Sequence, residues 1–342
     1  MPSKSVSQNL LTLLIGFSGA GLAWAIHIPA PFLTGPAIVV TIASLIGFEL
    51  NISSRLRDLV FIGLGVTLGQ TVTPEVIDAA LRWPITLACL AVLLVAIIEL
   101  TMLMLTRFWK MDKMTALLAA SPGHLGYVLS LAEGVRGDLS TVSVIQSIRV
   151  LSLTLLVPMV FSITGAEPQI KASSPAVIGL ASLIGVLLLA AALGWALKKT
   201  HLPAAYLMGG LLVSALLHGA GIISGNVPQW LAVTCFVTLG CLIGTRFSGV
   251  TWAELRASLG AGLAVTALGV FLTGLFAVMA SWLTGFEIIT LLMAFAPGGI
   301  ETMTAMSVLL GIDPTFVAAH HVSRLLLLTV IVPVLVLRRQ RS

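Results

Sequence analysis

The sequence predicts an all-α integral membrane protein built from two tandem copies of one helical unit. Hydrophobic residues make up 58% of the chain and charged residues only 9%. A soluble domain carries about 25% charged residues, so this composition suits an exterior that faces lipid. Twelve apolar runs follow one another with short connectors, and most have the roughly 20 residues a helix needs to cross a bilayer. The runs also repeat at a fixed spacing.

In chain order the runs are 9–27, 31–49, 57–73, 83–108, 113–133 and 139–163, then 175–197, 202–222, 229–245, 252–283, 287–311 and 315–337. Lys4 ahead of the first run resembles a signal peptide. The next run starts almost at once and no small-residue cleavage site precedes a soluble segment, so a retained first helix is expected. The most polar connector, Gly165 to Ser174, falls mid-chain and divides a first repeat (9–165) from a second (175–338). Cys89, Cys235 and Cys241 lie inside apolar runs without metal-ligand spacing and read as packing residues. The net charge of +5 comes from Lys and Arg scattered between runs. That pattern fits cytoplasmic loops and offers no basic stripe for direct nucleic-acid binding.

The duplication is legible residue by residue. His27-Ile-Pro-Ala-Pro-Phe-Leu-Thr-Gly-Pro36 aligns with His201-Leu-Pro-Ala-Ala-Tyr-Leu-Met-Gly-Gly210 at an offset of 174. Gly65 and Gly69 align with Gly240 and Gly244 at 175. So do Ser121-Pro122-Gly123 with Ala296-Pro297-Gly298, Asp138 with Asp313, Arg149 with Arg324, and Pro158 with Pro333.

Charge then selects a topology. Twelve crossings would spread Lys and Arg over both faces. If the fifth run of each half does not cross, the halves are inverted with five spans each. Only Arg82 and Lys171 then lie outside, Arg149 and Arg324 lie in the membrane, and the other basic residues lie inside. The positive-inside rule favours this 5+5 arrangement. The runs 113–133 and 287–311 each carry a Pro-Gly step, where proline removes a donor and glycine admits non-helical angles. A broken helix, re-entrant or discontinuous, is expected at Ser121–Gly126 and at Ala296–Glu301.

Inverted repeats with discontinuous helices are the architecture of secondary transporters, whose sites lie where half-helix ends expose N–H and C=O groups. Ionisable groups inside the runs mark the same region, because charge there is costly. The candidate substrate-binding residues are Gly123, His124, Arg149, Gly298, Gly299, Glu301, His321 and Arg324. The arginines point inward and either bind an anionic group or neutralise Glu301, or else bond broken-helix carbonyls and lock the two halves together. The amides at Gly123 and Gly298 add donors for an anion, and Glu301 with His124 or His321 would handle a coupling proton. The Gly-x-x-x-Gly pairs permit close helix contact, with the third helices of both halves expected against the breaks. Thr67, Gln70, Thr71, Thr238 and Thr245 are then candidates for a lined path. Glu99 reads as a structural group.

Taken together, Pro29-Ala-Pro-Phe-Leu-Thr-Gly-Pro36, Ala296-Pro-Gly-Gly-Ile-Glu-Thr-Met303 and His320-His-Val-Ser-Arg324 with Pro333 resemble the AbrB family of bacterial membrane proteins, over about residues 9–338. The first half departs from the Pro-Gly-Gly pattern, with His124 in place of the second glycine. The resemblance implies a duplicated AbrB membrane domain. Family members have been labelled ammonia monooxygenases, and one branch is linked to regulated expression of a DNA-alkylation response gene. Monooxygenase chemistry needs a copper or iron site, and these residues offer no credible ligand set.

The expectation is therefore a proton-coupled secondary transporter of a small organic anion, with an indirect membrane regulator of gene expression as the second reading and an oxygenase as a distant third. It is expected to be a non-enzyme without metal or cofactor. Its partners are the bilayer, the solute and a second copy in a homo-oligomer. It is placed in the bacterial inner membrane with both termini cytoplasmic.

Overall fold

The computed structural model describes residues 2–70, 83–122, 138–163, 177–200 and 204–340. Thirteen α-helices are present among them. These are α1 (Pro2–Ala25), α2 (Pro31–Leu45), α3 (Ser54–Gly69), α4 (Trp83–Phe108), α5 (Lys113–Ala120), α6 (Leu139–Ile163), α7 (Leu180–Lys199), α8 (Ala205–Gly219), α9 (Gln229–Gly244), α10 (Trp252–Thr284), α11 (Ile288–Phe295), α12 (Ile300–Leu309) and α13 (Pro314–Gln340). Among the described residues, seven helices are long and apolar enough to cross a membrane. The chain is a multi-pass membrane protein.

Helix lengths pair across the sequence. Helices α2 and α8 have 15 residues each, α3 and α9 have 16, and α5 and α11 have 8. The chain enters α2 and α8 through the same left-handed residue, Ala30 at φ 51° and Ala204 at φ 50°. A non-glycine residue there costs about 1–2 kcal/mol, so its recurrence reflects a shared turn geometry. At about 22 Å, α2 and α8 are shorter than the 31–49 and 202–222 runs suggest. Helix α2 already gives way to a turn after Leu45, and Gly47 sits at φ 104°.

The chain divides into two compact units, and each draws on both halves of the sequence. The first contains α1, α2, α3, α7, α8 and α9. Here α2 packs between α1 and α9, and α8 between α7 and α3. Glycine sets these contacts, because a Cβ at Gly65 would stand 2.2 Å from the Leu207 carbonyl and one at Gly69 2.3 Å from that of Leu211. A Cβ at Gly240 would lie 2.5 Å from the Leu33 carbonyl, and at Gly244 2.8 Å from the Thr41 nitrogen. The glycine pairs are thus spent on the second helix of the opposite half, which corrects the expectation that they abut the breaks. The candidate path residues of this unit satisfy local carbonyls instead: Thr67 donates to Gly63 O, Thr238 to Thr234 O and Thr245 to Leu242 O. Gln70 accepts from Val227 N. Thr71 lies outside the described residues.

The register of these contacts gives direction. Rising numbers on α3 meet rising numbers on α8, and likewise α9 on α2, so each pair is parallel. At one end of the unit, Asn9 and Ser53 exchange two hydrogen bonds of 3.0 and 2.8 Å, and Thr12 bonds Asn51 both ways. Lys198, at the end of α7, reaches Asp58 in the first turns of α3 at 3.1 Å.

The second unit contains α4, α5, α10, α11, the stretch Leu139–Leu153 of α6, the start of α12 and α13 from Phe316. Its core joins Leu90, Leu93 and Ile97 of α4 with Leu117 of α5, Ala261 and Val265 of α10, and Phe295 of α11. Asp138 caps α6 and Asp112 caps α5 by accepting from backbone N–H groups. Glu254 closes a capping box with Thr251 at the start of α10 and accepts from Ser140 at 2.9 Å. All three cysteines are buried thiols.

Candidate functional site

Two short helices that end at a Pro-Gly step organise the second unit. Helix α5 ends at Ala120, ahead of Ser121-Pro122, and α11 ends at Phe295, with helix resuming at Ile300 as α12. The break at Ala296–Gly299 is two residues shorter at its C-terminal end than the expected Ala296–Glu301, since Ile300 and Glu301 already lie in the first turn of α12. Neither Gly298 nor Gly299 adopts a positive φ. Gly298 is closely packed: a Cβ there would come within 2.7 Å of the Met303 side chain, which would have to shift. Pro297 packs over Gly269 of α10, where a Cβ would stand 3.0 Å from the ring.

A helix that stops inside a bilayer leaves carbonyls that water cannot reach. Side chains supply the missing donors. Thr273 of α10 donates to Phe295 O at 3.3 Å, and His321 Nε2 donates to Met293 O at 3.0 Å. Arg324 uses one terminal nitrogen on Ala296 O, at 2.6 Å, and the other on Gly298 O. The first break is treated alike. Gln146, which aligns with His321, donates from Nε2 to Leu118 O at 3.0 Å and to Ser121 O at 3.4 Å. The Ser121 hydroxyl donates to Leu117 O at 2.8 Å. Leu118 and Met293 are themselves related by the same offset.

The structure therefore brings Arg149, Gly298, Gly299, Glu301, His321 and Arg324 into one unit. Gly123 and His124 lie outside the described residues. Arg149 and Arg324 are 3% and 2% exposed, and His321 is fully buried. The charges of Arg149 and Glu301 both act on Arg324, the first unfavourably and the second favourably. Arg324 stands about 15 Å along α13, half the thickness of a hydrocarbon core. Among the described residues, Arg324 Nε and His321 Nδ1 are buried without a hydrogen-bond partner.

His320 has a different task. Its Nδ1 lies 2.8 Å from Phe316 O and its Nε2 2.7 Å from the Thr86 hydroxyl. The ring is walled by Phe316, Trp83 and Phe295, so it clasps α13 to the start of α4. Sequence reasoning missed Thr86 and Thr273, because a threonine in an apolar run carries no signal of what it faces.

A family model described as "Transition state regulatory protein AbrB" matches residues 32–339, nearly the whole chain. The chain belongs to the AbrB family. It is 32% identical over 292 residues to "Uncharacterized protein YhjN" of Bacillus subtilis (strain 168), covering 79% of this chain and 75% of that protein. It is 28% identical over 326 residues to "Putative regulator AbrB" of Escherichia coli (strain K12), covering 92% of this chain and 90% of that one. The matched region of this AbrB-family protein takes in both broken helices and both buried arginines.

Proposed function

We propose that this AbrB-family protein is a secondary transporter of a small organic anion, coupled to protons, with two inverted halves of five spans each. The reading is carried by Arg324. A guanidinium at mid-membrane depth, beside a helix broken by Pro-Gly-Gly, retains a buried Nε–H donor after its terminal nitrogens are engaged. An intramembrane charge of this kind is expensive and is kept where it has work to do. The start of α12 adds backbone N–H groups, and the glycine ahead of it has no side chain to fill them.

The helix directions support the inversion. Helix α3 is parallel to α8 and α9 to α2, while the short connector 46–53 turns the chain back between α2 and α3. Equivalent helices then run oppositely. The Lys198–Asp58 pair supports it too, since it puts the end of α7 at the level of the start of α3. Halves so related place α4 against α10 and leave both arginines at one depth. Glu301, at the mouth of α12 and partly exposed, is the group we assign to the coupling proton. With the basic connectors inside, both termini face the cytoplasm of a bacterial inner membrane.

The test is uptake by the purified protein in proteoliposomes, using carboxylates and inorganic phosphate under an imposed pH gradient. Accumulation of at least one anion is expected. Glu301→Gln should keep exchange but lose gradient-driven accumulation. If no anion of the panel is taken up or raises the melting temperature, the proposal fails. The second reading, an effect on gene expression through a changed solute level, is favoured by the name of the E. coli relative. It needs no nucleic-acid contact.

A further inference from the structure

We propose that the solute is an anion carrying its own hydroxyl donor beside the negative charge, a 2-hydroxy carboxylate or hydrogen phosphate, read by His321 and Arg324. The inference rests on the transport reading above and narrows its substrate.

His321 Nε2 lies 3.0 Å from Met293 O. A carbonyl only accepts, so Nε2 carries the hydrogen, and in the neutral ring Nδ1 is left as a bare acceptor. A second proton would set a cation against the guanidinium one turn away. Nδ1 is buried with no partner. Arg324 spends its terminal nitrogens on Ala296 O and Gly298 O, and its Nε–H is buried with no partner. Residues three apart share a helix face, and the charge of Arg324 is felt at the His321 ring. Among the described residues, α13 thus offers the break one unmet donor and one unmet acceptor on residues three apart.

That pair discriminates between anions. A plain carboxylate or sulfate satisfies Arg324 but sets oxygen lone pairs against Nδ1. An ammonium satisfies Nδ1 but adds a cation where Arg149 and Arg324 already repel. A hydroxyl donates to Nδ1 while the adjacent anionic oxygen accepts from Nε–H. The rest of the negative charge falls to the amides that open α12.

Gln146 holds the first break through Nε2 to Leu118 O and Ser121 O, as His321 holds the second through Met293 O. An amide can therefore make the tie, but it brings an acceptor oxygen of its own. His321→Leu removes the Nδ1 acceptor together with the tie.

The experiment measures dissociation constants and melting shifts on the full-length protein for two matched pairs: 2-hydroxypropionate against propionate, and hydrogen phosphate against sulfate. A buried acceptor left unmet costs about 1–3 kcal/mol, so the hydroxyl-bearing member of at least one pair should bind about tenfold tighter or more. The pair that responds identifies the source of the chemistry. In His321→Leu the members should become nearly equal in the anion binding that remains, and a retained preference for the hydroxyl-bearing member overturns the assignment to Nδ1. If both members of each pair bind the parent equally, a water fills the gap, the hydroxyl inference falls and the anion site stands. If nothing binds, both fall. The parent comparison decides the matter even if the variant does not fold.

Discussion

Replacing Arg324 with methionine keeps the bulk of the side chain and removes its donors. Two carbonyls, Ala296 O and Gly298 O, then lose their partners inside a buried break. Hydrogen bonds from a charged donor are worth about 1.5–3 kcal/mol each, which sets a ceiling of about 3–6 kcal/mol for the pair. Relief of the buried charge offsets part of this, because desolvating a guanidinium itself costs several kcal/mol. A net loss of about 2–4 kcal/mol is expected, or about 4–16 °C at the roughly 2–4 °C per kcal/mol of a 150–250-residue cooperative unit. The protein contains its own reporters. Cys89, Cys235 and Cys241 are buried thiols, so a thiol-reactive fluorophore reads unfolding directly in detergent. Arg324→Lys, with one point charge in place of a fork, should fall between parent and methionine variant. A methionine variant that melts with the parent would mean that Arg324 does not hold the break, and the account of how α11 is terminated would be wrong.

Further outcomes follow from the packing and the caps. Gly65→Leu should abolish folded yield, because its Cβ would sit 2.2 Å from the Leu207 carbonyl, whereas Gly21→Leu, with nothing within 4 Å, should express like the parent; size-exclusion profiles distinguish the two. Asp138→Ala should cost about 1 kcal/mol through loss of the α6 cap. The Thr141 hydroxyl holds the Asp138 carboxyl below the usual carboxylate range, so its charge stabilises the fold above about pH 4 and ceases to as pH falls below. Melting curves of Asp138→Asn should therefore differ from the parent near neutrality and converge with it in acid.

Several features were legible from residues alone. Composition selects the membrane class because so few charges cannot cover a water-facing surface. The 175-residue offset marks equivalent elements, and the equal lengths of α3 and α9 and of α5 and α11 follow it. Pro122 and Pro297 mark where helices stop, because a missing donor and a ring clash act locally. The same offset aligns the aspartates at 138 and 313, although that their carboxylates accept from the next turn at the starts of α6 and α13 came only with the structure.

What the linear pattern could not fix is which surfaces meet. Periodicity says that a glycine pair permits approach, but not that Gly65 takes Leu207 of the other half. Nor could it say that the compact units would cut across the two repeats. The packing of Met303 against Gly298 also escaped it, since Gly298 has no positive φ and the contact arises only in the fold. Donor accounting at the breaks is likewise a tertiary matter: Gln146, Thr273, His321 and Arg324 find their carbonyls only once the helices are packed. Local rules act through neighbours in the chain and can be read from it, whereas satisfaction of a buried polar group depends on whatever the fold brings within 3 Å or so.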